Sequence, residues 1–312
     1  MNESAESAIL LDGLAPRVGR SGPWRQAAAR FRRRPLGVAA FAFLAFLVVI
    51  GAFAGVLAPY YPGQEFVLLI GKPQAPLAAH HLLGTDSLGR DFFTQLLFSI
   101  RETLLSALIC TGGATAVGVV VGSLAGYFGG WFDDIVAWAT GVVVAVPAIA
   151  VLIIIAIWSS LPVKPLTDGL WLMALLWPGV ARVVRATVAS LRSSEYVEAA
   201  HASGASDLRV LGRHLLPNAS GQIIVAATSV IGQSIAIIAT VDYLGYGYNQ
   251  PERPTLGGLV ADATNTTSLA GGPTLSGVWW LYVLPAALLV VLLLAVAFFG
   301  DAADEALNPA AA

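Results

Sequence analysis

Along the 312 residues, long apolar blocks alternate with short polar connections. A helix that crosses a bilayer needs about 20 mostly apolar residues. Six blocks come near that length, at 36–58, 104–127, 135–158, 170–188, 222–241 and 278–300. The pattern predicts an all-α membrane protein with six transmembrane helices between residues 36 and 300. The first block is too long for a signal-peptide core and follows an arginine-rich leader, so it reads as a retained anchor. Within the second block Gly118, Gly122 and Gly126 recur every four residues. Small residues at that spacing let helix backbones approach closely. They predict a helix–helix seam, either inside the subunit or with a partner. Pro147, Pro178 and Pro285 interrupt blocks, and each removes a backbone donor. Simple kinks and the broken helices of transporters are both open readings.

Composition agrees with a membrane protein. Only 12% of residues are charged, where soluble domains carry about a quarter. The single cysteine, Cys110, excludes an intrachain disulfide and a multi-cysteine metal site. It reads as a small buried hydrophobe.

The net charge of −2 is less informative than its distribution. Arg17, Arg20, Arg25, Arg30 and Arg32 to Arg34 precede the first block. By the positive-inside rule they put the N-terminus in the cytoplasm, and six spans return the C-terminus there. Residues 1–35 and 301–312 then become a cytoplasmic leader and a cytoplasmic tail. Arg182, Arg185, Arg192, Arg209 and Arg213 fall on the same side, against Lys72, Arg90, Arg101, Lys164 and Arg253 outside. Tyr60, Tyr61, Trp158, Trp279, Trp280 and Tyr282 fall at predicted outer ends, where amphipathic rings favour the interface.

One connection stands apart for its polarity: Glu195-Tyr-Val-Glu198-Ala199-Ala200-His-Ala-Ser-Gly204-Ala-Ser206-Asp207-Leu-Arg209, continuing to Arg213, Pro217 and Asn218. Glu195 and Glu198 suit the start of a short helix, where negative charge is favoured. Gly204 supplies a left-handed turn that ends it. Ser206 can cap a second short helix, with Leu208, Leu211 and Leu215 along one face. Helix, glycine turn and helix make a compact knob at the cytoplasmic surface. Such a knob fits a groove on another protein. It fits equally a connection lying on anionic lipid through its arginines.

These residues resemble the EAA loop of ABC-importer permeases: Glu-Ala-Ala, then Gly204 four residues after Ala200, then Leu-Pro217. The wider chain resembles the C-type branch of dipeptide and oligopeptide importers. Leu83-Gly84-Thr85-Asp86-Ser-Leu-Gly89-Arg90-Asp91 is similar to its outer LGTDxxGRD signature. Gly126-Tyr127-Phe-Gly129-Gly130-Trp131-Phe-Asp133, Trp177-Pro178-Gly-Val-Ala181-Arg182-Val-Val-Arg185 and Arg213-His214-Leu-Leu-Pro217-Asn218 also resemble that branch. The resemblance implies a type I ABC importer permease fold with a cytoplasmic coupling helix, in a bacterial inner or plasma membrane. It implies that Glu195, Glu198, Ala199, Ala200, Gly204, Asp207, Arg213 and Pro217 couple to ATPase subunits. Expected partners are a second homologous permease, two ATP-binding subunits or a fused one, an extracytoplasmic substrate-binding protein and the lipid bilayer, with no nucleic acid. The chain itself is expected to carry no cofactor, while ATP and Mg are held by the ATPase partners.

Two departures bear on substrate and gating. The branch usually carries Met-Arg, and Asp three residues after that Arg, before the proline at 147; here the matching positions are Ala137, Trp138 and Gly141. The outer loop Tyr243-Leu-Gly245-Tyr-Gly247 to Leu256-Gly257 also diverges.

No G-x-x-x-x-G-K-[ST] cradle occurs, so the chain reads as no ATPase. No H-E-x-x-H or G-x-S-x-G occurs either. The adjacent pair His80-His81 reads as loop polarity more readily than as a metal site. Peptide import is the expected function. Permeases for nickel, glutathione or another small solute, and peptide exporters, are alternatives within the class. A non-transporting scaffold and an intramembrane enzyme are more distant ones.

Overall fold

A helix that is apolar on every side belongs in lipid, and the first long helix of the chain is of that kind. The computed structural model describes residues 23–65, 73–78, 81–158, 165–247, 252–268 and 275–307. Helix α1 covers Pro23–Arg32, and α2, Pro35–Ala52, follows it with a mean hydropathy of 2.4. Pro35 at the first turn of α2 brings a φ already set for a helix. The block ends at Phe53, after which Ala54–Leu57 forms a separate turn, α3.

Helix α4, Phe92–Phe128, runs for 37 residues, or about 55 Å. It starts well before the apolar block at 104. The reason is Asp91, whose Oδ2 accepts the Thr94 N–H at 2.8 Å and caps the helix. Thr94, Gln95, Ser99, Glu102 and Thr103 weaken the hydropathy there, yet all are buried in the fold.

The block at 135–158 is not one straight helix. Helices α5, Gly130–Ala145, and α6, Ala148–Trp158, meet at a 74° bend. Val146 is extended and Pro147 has no N–H to continue the ladder. By contrast Pro178 lies within α7, Pro165–Arg192, and Pro285 within the last helix, α12, Trp279–Leu307. Between α7 and α12 come α8, Glu195–Ala202; α9, Asp207–Val210; a π-helical turn, Leu211–Leu215; α10, Leu216–Tyr243; α11, Leu256–Ser268; and a 3₁₀ turn, Leu275–Val278. Among the described residues five helices are long and apolar enough to span, with a sixth if the bent pair α5–α6 counts as one span. Helix α11 has no counterpart in the apolar pattern.

The glycine seam lies inside the subunit, between α4 and α7. A methyl added at Gly118 would lie 2.6 Å from Val180 Cβ. One at Gly122 would lie 3.0 Å from Ala181 Cα, and one at Gly126 2.5 Å from the Arg185 carbonyl oxygen. These approaches leave no room for a side chain. Around the seam a core cluster joins Cys110 of α4, Leu152 of α6, and Leu172, Val184 and Val188 of α7 to Val197 of α8, Val210 of α9 and Leu215. A second cluster joins α2, α4, α10 and α12 through Leu47, Ile100, Ile235 and Leu292.

The first and last described helices meet. Arg34 pairs with Glu305, and Arg30 Nη1 donates to the Ala306 carbonyl at 3.1 Å. The N-terminal helix and the end of α12 therefore share one face of the molecule. Phe46, Val120, Ile154 and Val290 are exposed on the spans, as lipid contact requires.

Candidate functional site

The polar connection between α7 and α10 folds as the knob that its residues predict. Backbone geometry makes its turn. The Gly204 N–H donates to the His201 carbonyl at 2.8 Å and the Ala205 N–H to the Ala200 carbonyl at 3.1 Å, with Gly204 at φ +82°. This is a Schellman closure, and a left-handed residue is its requirement. Ser206 precedes α9 in extended conformation and its carbonyl accepts the Val210 N–H at 2.9 Å. Its side chain makes no capping bond, so the expected hydroxyl cap is replaced by the backbone alone.

The knob is rooted in the spans. Val197, Val210, Leu211 and Leu215 are buried in the core cluster around α4 and α7. Leu208 was expected to share a face with Leu211 and Leu215, yet it stands 69% exposed. Because α9 is only Asp207–Val210 and the next turn is π-helical, the wider winding breaks the 3.6-residue register. Glu195, Glu198, Arg209 and Arg213 of the same connection are also exposed. Ala199 and Asp207 are exposed and Ala200 is half-buried, while Pro217 opens α10 at the surface. An exposed apolar side chain on a connection that also exposes charges suits a contact surface.

A polar latch holds the knob to α4. Tyr127 donates its phenolic proton to Asp207 Oδ1 at 2.8 Å. His201 Nε2 lies 3.1 Å from the Tyr127 phenolic oxygen. A phenol has one proton to give, so His201 donates here, through a protonated Nε2. Arg192 Nη1 donates to the Tyr127 carbonyl at 2.7 Å. Next to the latch, Arg185 grips Asp133 through two hydrogen bonds, Nη2 to Oδ2 at 2.6 Å and Nε to Oδ1. Sequence reading did not single out Tyr127, His201 or the Asp133–Arg185 pair. Opposite charges more than 50 positions apart carry no local signal, and a single tyrosine beside a glycine turn carries little.

Gly141, one of the positions at which the chain departs from the family it resembles, lies beside Arg182. A Cβ there would lie 3.9 Å from Arg182 Nη2. Arg182 Nε instead reaches Thr140 Oγ1 at 3.5 Å.

At the opposite end, the motif at 84–91 forms a buried knot. Asp86 accepts the Leu88 N–H at 2.9 Å, the Arg90 N–H at 2.8 Å, Arg90 Nε at 2.7 Å and Gln95 Nε2 at 3.0 Å. Arg90 Nη2 lies 3.5 Å from Asp262 Oδ2 on α11. Gly84 and Gly89 take positive φ in the turns of the knot. Asp91 serves twice: Oδ2 caps α4, and Oδ1 lies 2.8 Å from His81 Nδ1. His81 is thus a buried partner of Asp91, while His80 lies outside the described residues. Among the described residues no three His, Cys, Asp or Glu side chains cluster to hold a metal.

Comparison with known proteins decides the family. The model of the binding-protein-dependent transport system inner membrane component matches residues 118–311. The chain belongs to this family. A second family model, the N-terminal TM domain of oligopeptide transport permease C, matches residues 22–76 of the permease. The oligopeptide transport system permease protein OppC of Mycobacterium tuberculosis (strain ATCC 25618 / H37Rv) is 30% identical over 282 residues, covering 90% of this chain and 92% of that protein. The glutathione transport system permease protein GsiD of Pectobacterium atrosepticum is 31% identical over 287 residues, covering 92% and 91%. The dipeptide transport system permease protein DppC of Alkalihalophilus pseudofirmus is 30% identical over 288 residues, covering 92% and 90%. Among solved structures, an inward-facing MetNI methionine ABC transporter aligns with a TM-score of 0.54 at 19% identity, over 69% of this chain and 96% of that one. The permease has the all-α, type I ABC importer fold.

Proposed function

We propose that this permease carries peptides inward as one of two membrane subunits of an ATP-driven importer, and that the knob at 195–218 is where ATPase subunits engage it. The observation that carries the reading is the mounting of the knob. Its apolar inner face is continuous with the core of α4, α7 and α10, and Leu208 projects outward. A displacement applied at Leu208 is passed to the spans, because close-packed interiors transmit strain. Coupling then follows from a contact that differs between the ATP-bound and free states of the partners.

In this reading ATP and Mg reside in the partner ATPases and this chain carries out no hydrolysis. The knob and both chain ends face the cytoplasm, as the arginine distribution favours. A substrate-binding protein delivers solute to the opposite face, near the knot at 84–91. The names of the 30% identical relatives support peptides as cargo. The 31% identical glutathione permease favours a second reading, in which the cargo is that modified tripeptide.

The test is to purify the permease with the second permease, ATPases and binding protein of its own transport system, and to reconstitute them in vesicles. ATP-dependent uptake of a dipeptide or of glutathione separates the two cargo readings. Leu208→Asp should abolish co-purification of the ATPases while the permease remains inserted. Retention of the ATPases by that variant overturns the assignment of the knob.

A further inference from the structure

On the outer side, between α4, the start of α7 and the segment leading to α11, lies a recess of about 360 Å³. Its floor and walls are Phe98, Leu105 and Ile109 of α4 with Leu166 of α7, and its polar groups are Arg101, Glu102, Glu252 and Arg253. Glu102 is only 4% exposed and its Oε2 accepts no hydrogen bond. Arg101 and Arg253 line the same recess as Glu102. The Thr103 Oγ1 atom accepts the Leu256 N–H at 3.2 Å, which ties the segment bearing Arg253 to α4 beside Glu102.

A buried carboxylate lacking a hydrogen bond is costly, and it is cheaply satisfied by a cationic donor. Two guanidiniums nearby offer planar forks suited to a carboxylate. Hydrocarbon cannot be the neighbour of such a group, since charges facing lipid are expensive. Leu105 and Leu166, exposed on the same face, therefore line a water-filled path rather than a lipid surface. The volume lies at the lower end of ligand pockets, large enough for a small peptide.

We propose that this recess is a subsite for the charged ends of a zwitterionic substrate, with Glu102 receiving an α-ammonium group, Arg101 and Arg253 receiving an α-carboxylate, and the apolar wall receiving a side chain. The inference rests on the peptide-import reading and deepens it. It gives the permease its own share of selectivity, separate from that of the binding protein.

The experiment uses the whole transporter in nanodiscs with hydrolysis-deficient ATPases and ATP, without the binding protein, and measures binding of radiolabelled Ala-Phe. Saturable binding is expected, with N-acetyl and C-amide forms at least tenfold weaker. Glu102→Gln should weaken free Ala-Phe about tenfold or more and erase discrimination against the N-acetyl form. Arg253→Gln should do the same for the C-amide form; it is exposed, so its folding is not at risk. Parallel uptake with the binding protein present separates the two claims. Uptake of Ala-Phe by the wild type, with both variants binding as the wild type does, overturns the subsite and leaves peptide import standing. Absence of any peptide uptake or binding by the wild type overturns both. Variants that bind Ala-Phe normally but no longer recruit the binding protein assign the recess to docking and overturn the subsite.

Discussion

Tyr127, near the end of α4, donates a hydrogen bond of 2.8 Å to Asp207, at the start of α9 and 80 positions away. This contact joins a membrane span directly to the outer half of the knob. Tyr127→Phe removes it together with the His201 contact. Both partners are substantially exposed, so the loss should be modest, about 0.5–1.5 kcal/mol. Hydrogen exchange at the amides of residues 201–209 should accelerate, while the amides of α7 stay protected. Unchanged exchange would mean that Val197, Val210 and Leu215 hold the knob without help.

Gly204 is a purely conformational requirement. Its φ is +82° and a Cβ there would meet nothing within 4 Å. Gly204→Val should therefore act only through the turn, at about 1–2 kcal/mol or more for a branched residue forced left-handed. Gly204→Asn should be milder, since Asn visits this region. The expected signature is ATP hydrolysis that no longer drives uptake in the valine variant, with partial recovery in the asparagine one. Equal transport by both would remove the turn from the coupling mechanism.

The seam between α4 and α7 offers a paired test on one helix. Gly122→Ala drives a methyl against the backbone of Ala181, and overpacking of this kind costs about 1–3 kcal/mol. Gly112→Ala meets nothing within 4 Å, and should be neutral or stabilise by about 0.5–1 kcal/mol through the helix preference of alanine. Thermal unfolding in detergent should order the variants Gly112→Ala, wild type, Gly122→Ala from highest to lowest midpoint.

Asp86 collects four donors, among them Arg90, whose side chain is 6% exposed. Asp86→Ala leaves that guanidinium buried without its main partner. Breaking a buried pair in this way costs about 3–5 kcal/mol. A drop in unfolding midpoint much larger than that of Tyr127→Phe is expected, with the ends of α4 and α11 at the knot loosening first in hydrogen exchange. A midpoint equal to wild type would show that the knot does not hold this end of the fold.

Much of this was readable from residues. Apolar blocks located the spans, and Glu195, Gly204 and Ser206 located the knob and its turn. The start of α4 was hidden because Thr94, Gln95, Ser99 and Glu102 look like loop residues; tertiary burial decides their state, as it does for any polar residue with partners. Helix α11 was missed although Thr255 marks its start, accepting the Gly258 N–H at 3.1 Å through Oγ1. Leu208 stands just before a π-helical turn, which leaves no 3.6-residue periodicity to detect. The latch at Tyr127 and the Arg185–Asp133 grip depend on helix packing across distant segments, which hydropathy does not encode.

The corner at Val146–Pro147 restricts where the permease can stand among its neighbours. The 74° bend ends one ladder and begins another, so the final carbonyls of α5 and the first amides of α6 have no partners in their own helices. At the corner the Val146 N–H turns back to the Val143 carbonyl at 3.2 Å, and the Val151 N–H reaches the Pro147 carbonyl at 3.2 Å. Acyl chains offer nothing to such groups. An elbow at membrane depth is therefore expected to sit against another polypeptide or a water column, and Val144, Val146 and Ile149, exposed in the subunit, are the side chains it would present there.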